Sequence, residues 1–178
     1  MALPKPPLTA APPEEILRPA RPWFILLTLF AAFAGNLLPL SGVAQAFKPD
    51  FVALVLLYWC IQAPRFVGVG MAWMVGLLMD VGDATYFGQH ALAYAVLAYG
   101  AEYFRRRVLR FSPWQQAAQV AVLLLLCAAI VLLIRIVGGA PLPRWTYVVP
   151  SLVGALLWPL VSVLLQWPQR PPTSPAER

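Results

Sequence analysis

The chain has 178 residues, 61% of them hydrophobic and only 11% charged, with a formal net charge of +6 and a mean hydropathy of +0.72. A soluble domain averages about 25% charged and about 45–50% apolar residues, so there is too little polar surface here to cover a water-soluble globule. The positive charge does not point to nucleic acid, because Lys and Arg flank apolar stretches instead of gathering on one polar face.

Residues 1–22 hold Pro4, Pro6, Pro7, Pro12, Pro13, Pro19 and Pro22 among Lys5, Glu14, Glu15, Arg18 and Arg21. Repeated proline removes backbone donors and blocks helix interiors, which predicts a disordered tail. Six apolar spans follow in residues 23–167: Trp23–Leu40, Asp50–Gln62, Phe66–Met79, His90–Phe104, Trp114–Val137 and Tyr147–Trp167. The expected fold is all-α, a polytopic six-transmembrane-helix bundle. Residues 168–178, with Pro168, Pro171, Pro172 and Pro175, form a second tail of the first kind. The second and third spans are shorter than the ~20 residues of a perpendicular crossing. Bilayer thinning, helix ends that extend into loops, or a re-entrant hairpin would each accommodate them.

Basic residues set the orientation, since cytoplasmic loops collect them. With the N-terminus inside, Lys5, Arg18, Arg21, Arg65, Arg105, Arg106, Arg107, Arg110, Arg170 and Arg178 are all cytoplasmic. Only Lys48, Arg135 and Arg144 lie near the outer face. Both termini are therefore expected in the cytoplasm of an inner-membrane protein. Ala44-Gln45-Ala46 has the A-x-A form of a signal-peptidase site, but the preceding apolar run of roughly 18 residues exceeds the usual 7–15 of a signal peptide.

Helices in lipid associate through small residues. Gly68, Ala72 and Gly76 recur every fourth position, and Ala91, Ala95 and Ala98 give the fourth span a similar face. These stripes are read as helix-packing faces, with docking of a partner's transmembrane helix as the rival. Gly68-Val69-Gly70 lacks the third glycine and the preceding strand of a nucleotide-binding turn. Cys60 and Cys127 lie in apolar stretches without CxxC spacing, as packing residues do.

Intramembrane charge is costly enough to imply function, and little of it is present. Asn36 is expected to make a bundle-facing hydrogen bond, Arg135 to snorkel to the interface, and Glu102 to pair with Arg105 or Arg106. The candidate site is an outer-face polar cluster of Asp50, Asp80, Asp83, Gln89 and His90. Asp80 closes the third span and His90 opens the fourth, so the two are expected to be neighbours. These residues either terminate helices and fix a short loop or edge an externally open pocket for a polar head group. Neither a convergent metal set nor a nucleophile-and-base array is legible, and no cofactor is expected. Arg105, Arg106, Arg107 and Arg110 form an inner basic cluster attracted to anionic membrane lipid.

Lys48-Pro49-Asp50-Phe51 leads into Val55-Leu56-Leu57-Tyr58-Trp59. Pro64-Arg65-Phe66-Val67-Gly68-Val69-Gly70, Ala72-Trp73, Gly76-Leu77-Leu78-Met79-Asp80-Val81 and Gly88-Gln89-His90-Ala91-Leu92-Ala93-Tyr94 follow. In these ordered elements, over about residues 23–165, the chain resembles the rod shape-determining protein MreD family. The resemblance implies a non-enzymatic component of the elongasome, the machinery of lateral wall synthesis in rod-shaped bacteria. It implies MreC as the membrane partner, with MreB, RodA and its penicillin-binding transpeptidase in the same complex. It also implies a six-helix bundle with a pocket, like the substrate-binding subunit of energy-coupling-factor transporters, with Asp80 and His90 beside that pocket. Two rival readings are a small-molecule-binding subunit of such a transporter and a membrane enzyme acting on lipid-linked precursors.

Overall fold

Three stretches, Ala44–Gln62, Trp114–Val137 and Val149–Gln169, are long and apolar enough to cross a bilayer, and Pro22–Leu37 and Val69–Gly82 are shorter apolar helices. The computed structural model describes residues 21–141 and 145–169. Most of the two expected tails lies outside the described residues, and so does Arg144. Among the described residues there are seven α-helices and no strand: α1 (Pro22–Leu37), α2 (Val43–Phe47), α3 (Phe51–Gln62), α4 (Val69–Gly82), α5 (Gln89–Val108), α6 (Pro113–Val137) and α7 (Val149–Gln166).

Proline marks several of the starts. Pro22, Pro113 and Pro150 occupy the first positions of α1, α6 and α7, where a missing N–H leaves nothing unpaired. At the head of α6, Gln115 reaches back to accept the Ser112 N–H at 3.2 Å.

The five-residue α2 is a departure from the expected order. It occupies the gap between the first and second apolar stretches and packs on α7. Lys48 to Asp50 separate it from α3, so the apolar stretch Ala44–Gln62 is not one continuous rod. The fourth stretch also extends further than expected, as α5 continues through Arg105, Arg106 and Arg107 to Val108.

The centre of the bundle is α3. Val52, Ala53, Leu54, Leu56, Leu57, Tyr58, Trp59, Cys60 and Ile61 are all buried, and α1, α5 and α7 surround the helix. A helix apolar on every side belongs in an interior, and α3 has no polar face. Its twelve residues rise about 18 Å, short of the ~30 Å of a bilayer's hydrocarbon. A helix sheathed by other helices does not have to match that thickness. The indole of Trp59 packs edge-on against Phe24 and Tyr58 and donates to Thr28 Oγ1 at 2.9 Å, tying α3 to α1.

The outer surface is apolar as well. Leu152, Leu156, Leu160 and Leu164 form an exposed row along α7, Val122, Leu126 and Leu133 one along α6, and Trp23, Leu26, Leu27 and Phe30 one along α1. Apolar faces on this scale suit lipid as the surrounding solvent.

The small-residue stripe is used inside the fold. Ala72 and Gly76 are buried, and a Cβ on Gly76 would lie 2.4 Å from Ala91 Cα and 2.5 Å from Ala91 N. Here α4 and α5 touch backbone to backbone. Gly68 is set apart from that contact, as the residue preceding α4, with Glu102 Oε1 3.3 Å from where its Cβ would be. Gly76→Ala is therefore expected to wedge the pair apart and lower stability by roughly 1–3 kcal/mol, the usual range for overpacking. Gly70→Ala, with nothing within 4 Å of its Cβ, is the matched control. Thermal unfolding of the two purified variants in one detergent checks this, and equal melting temperatures would refute the close crossing.

Candidate functional site

Gly88 begins α5 from a left-handed backbone conformation, φ 97°, which glycine adopts without steric cost. It has no side chain with which to cap the helix. Asp80, in the last turn of α4, supplies the missing oxygens from across the loop. Its Oδ2 accepts from Gly88 N at 2.8 Å and more weakly from Ala91 N at 3.4 Å. Its Oδ1 accepts from His90 N at 2.9 Å and lies 2.9 Å from His90 Nδ1. A carboxylate at a helix N-terminus also faces the positive end of the macrodipole. The Asp80 side chain is wholly buried.

The carboxylate fixes the imidazole tautomer. Oδ1 can only accept, so Nδ1 carries the proton and donates, and neutral His90 keeps its lone pair on Nε2. Gln89 Nε2 lies 3.3 Å from the same Nδ1, but two donors do not bond. Gln89 Oε1 accepts from Arg135 Nε at a long 3.5 Å.

A second carboxylate organises the neighbouring end of α3. Asp50 is its N-cap, and Oδ1 accepts from Ala53 N at 2.9 Å and from Asn36 Nδ2 at 2.8 Å. Asp50 Oδ2 accepts from the Tyr94 hydroxyl at 2.7 Å. Asn36 Oδ1 in turn accepts from Phe51 N at 2.9 Å. Lys48 Nζ donates to the carbonyls of Asn36 and Leu38, which are left unpaired where α1 ends. Four elements are thus joined through one polar node.

Between these nodes lies a cavity of about 260 Å³, lined on its polar side by Lys48, Asp50, His90, Arg135, Tyr147 and Ser151 and on its apolar side by Leu124, Cys127 and Val131. It is a little smaller than the ~300 Å³ at which drug-sized ligand pockets begin. Among the described residues no three metal-ligating side chains converge.

The five residues of the expected cluster do not share one setting. Asp80, Gln89 and His90 are buried, because the N–H groups of α5 need an acceptor inside the protein. Asp50 and His90 both line the cavity. Asp83, at the end of α4, is exposed and lies outside both nodes. Arg135 does not run out to the interface; it turns to Gln89 and edges the cavity. Lys48, Tyr94, Tyr147 and Ser151 were not picked out as site residues. Lys48 lies between α2 and α3, Tyr94 on α5, Tyr147 just ahead of α7 and Ser151 within it, and no spacing links them; only the runs Lys48-Pro49-Asp50 and Gly88–Tyr94 hinted at two of them.

At the opposite end the four arginines divide. Arg105 Nε donates to Ile61 O at 2.6 Å and so closes the C-terminal end of α3. Arg106, Arg107 and Arg110 are exposed. Glu102 pairs with neither Arg105 nor Arg106: among the described residues the one close contact between a carboxylate and a basic side chain is the Asp80–His90 hydrogen bond. Arg105 is held by a buried carbonyl, and exposed Glu102 gains little from pairing in water.

Residues 18–167 match the family model described as rod shape-determining protein MreD. A rod shape-determining protein MreD of Haemophilus influenzae is 29% identical over 147 residues, which cover 81% of this chain and 90% of that relative. No solved structure matches.

If Asp80 is the cap of α5, Asp80→Ala orphans buried N–H donors and should destabilise the protein by about 1–3 kcal/mol for each donor left unpaired. Asp80→Asn retains one acceptor oxygen and should fall between Asp80→Ala and wild type. Thermal unfolding in detergent would rank the three, and an Asp80→Ala protein as stable as wild type would dismiss the cap.

Proposed function

The chain belongs to the rod shape-determining protein MreD family, and from that premise we propose that it is a non-enzymatic membrane scaffold of the elongasome. It sustains rod shape and lateral peptidoglycan synthesis by binding MreC within the inner membrane, in one complex with MreB, RodA and its penicillin-binding transpeptidase. The family match over residues 18–167 is the observation that carries this reading.

In this reading α1, α3, α4, α5, α6 and α7 are the six crossings, both termini are cytoplasmic, and the bundle resembles the substrate-binding subunit of energy-coupling-factor transporters. The Asp80 and Asp50 nodes then lie toward the periplasm and the arginine end toward the cytoplasm, which agrees with the distribution of Lys and Arg. Both carboxylates are taken up by structural hydrogen bonds. That commitment favours a rigid docking body over an acid/base catalyst. A scaffold of this kind offers its partner a surface whose shape is held by the polar nodes.

Deletion in a rod-shaped host should round the cells, and the tagged full chain should co-purify with an MreC-like protein of one transmembrane helix. A clean deletion that leaves rods intact would overturn the role. Single cysteines placed near each terminus should resist a membrane-impermeant thiol reagent applied to the periplasm, and labelling of either would overturn the topology.

A further inference from the structure

Near the turn that joins α5 to α6, Phe104 and Arg107 line a groove of about 220 Å³ together with Gln119, Val122 and Leu123. Leu123 is buried and forms the floor, while Phe104 and Val122 are exposed, so the groove opens on the side an acyl chain would approach. Gln119 Oε1 is buried and accepts no hydrogen bond among the described residues. A buried acceptor left unpaired is costly and calls for a reason. Arg107 stands beside it without a carboxylate partner among the described residues. Location near the negative end of the α5 macrodipole accounts for a basic residue there. It does not account for an acceptor held dry in the same groove.

We propose that this groove binds a glycerophospholipid with an anionic, hydroxyl-bearing headgroup, the chemistry of phosphatidylglycerol. Arg107 donates to the phosphate, Gln119 turns its Oε1 into the groove to accept from a headgroup hydroxyl, and an acyl chain runs out past Phe104 and Val122. A helix, about 10 Å across with its side chains, does not fit into a groove of about 220 Å³. A partner helix would also cover the Arg107 guanidinium and desolvate it, whereas a lipid phosphate meets it at the interface. Placement in the cytoplasmic leaflet rests on the topology proposed above; the existence of the site does not.

The test uses the full chain in detergent, with bound lipid counted by native mass spectrometry. Two lipids of equal charge are compared: phosphatidylglycerol and methyl phosphatidate, which lacks the hydroxyls. Wild type should retain phosphatidylglycerol preferentially. Arg107→Gln should weaken its binding about tenfold, the scale of one charge-assisted hydrogen bond. Arg106→Gln, with the same loss of charge beside the groove but not in it, should have little effect. Gln119→Leu should erase the preference between the two lipids. Equal losses in Arg106→Gln and Arg107→Gln would reduce the groove to a general basic surface and overturn the proposal, as would equal retention of both lipids by wild type. Should Arg107→Gln not fold, the lipid preference of wild type and of Gln119→Leu decides alone. Micelle binding does not depend on sidedness or on a partner, so its failure leaves the scaffold reading intact.

Discussion

A helix buried within apolar surroundings leaves its terminal N–H and C=O groups no water to bond, and every such group needs a partner from the protein. In this chain that requirement falls hardest on α3, which is short and enclosed on all sides. Its first turn is closed by Asp50 and Asn36 and its last by Arg105. The start of α5 is closed by Asp80. Removing any of these caps leaves the α3 or α5 terminus concerned with a polar group that has lost its partner.

These caps also explain where the scarce polar residues went. Asp50, Asp80 and Arg105 each come from a different part of the chain from at least one of the groups they satisfy. Each therefore holds two elements together as well as ending a helix. Tyr94 on α5 reaches Asp50 ahead of α3, and Arg105 on the same helix reaches Ile61 at the far end of α3. Two polar contacts, one at each end, hold α5 against α3, while the crossing at Gly76 holds it against α4. Four further helices, α1, α4, α6 and α7, pack directly on α3 or α5.

A bundle pinned in this way presents fixed surfaces, as the scaffold role proposed above requires. Its exposed faces are long apolar rows on α1, α6 and α7, and the cavity between α3, α5, α6 and α7 is the polar exception. Rows of this kind suit lipid as their solvent. The basic end, once Arg105 is subtracted as a structural cap, retains Arg106, Arg107 and Arg110 as exposed charges.

Composition and the lengths of the apolar stretches alone determined that the protein is helical and suited to a membrane, because too few polar residues exist to face water. The ordered Pro-Asp, Gly and Gly-Gln-His elements were enough to place it among its relatives. The neighbourhood of Asp80 and His90 was legible too, since only a short loop separates them. Tertiary structure alone decided what those residues do. It buried Asp80 and left Asp83 outside, turned Arg135 inward, separated Arg105 from the other arginines, and spent the glycine stripe on the α4–α5 crossing. The reason is physical: hydropathy along the chain records which segments leave water, but the partner of a particular N–H or carbonyl is set by which helix end lies opposite. Asp50 and Tyr94, or Ile61 and Arg105, meet 44 residues apart in sequence, and no local pattern encodes such a distance.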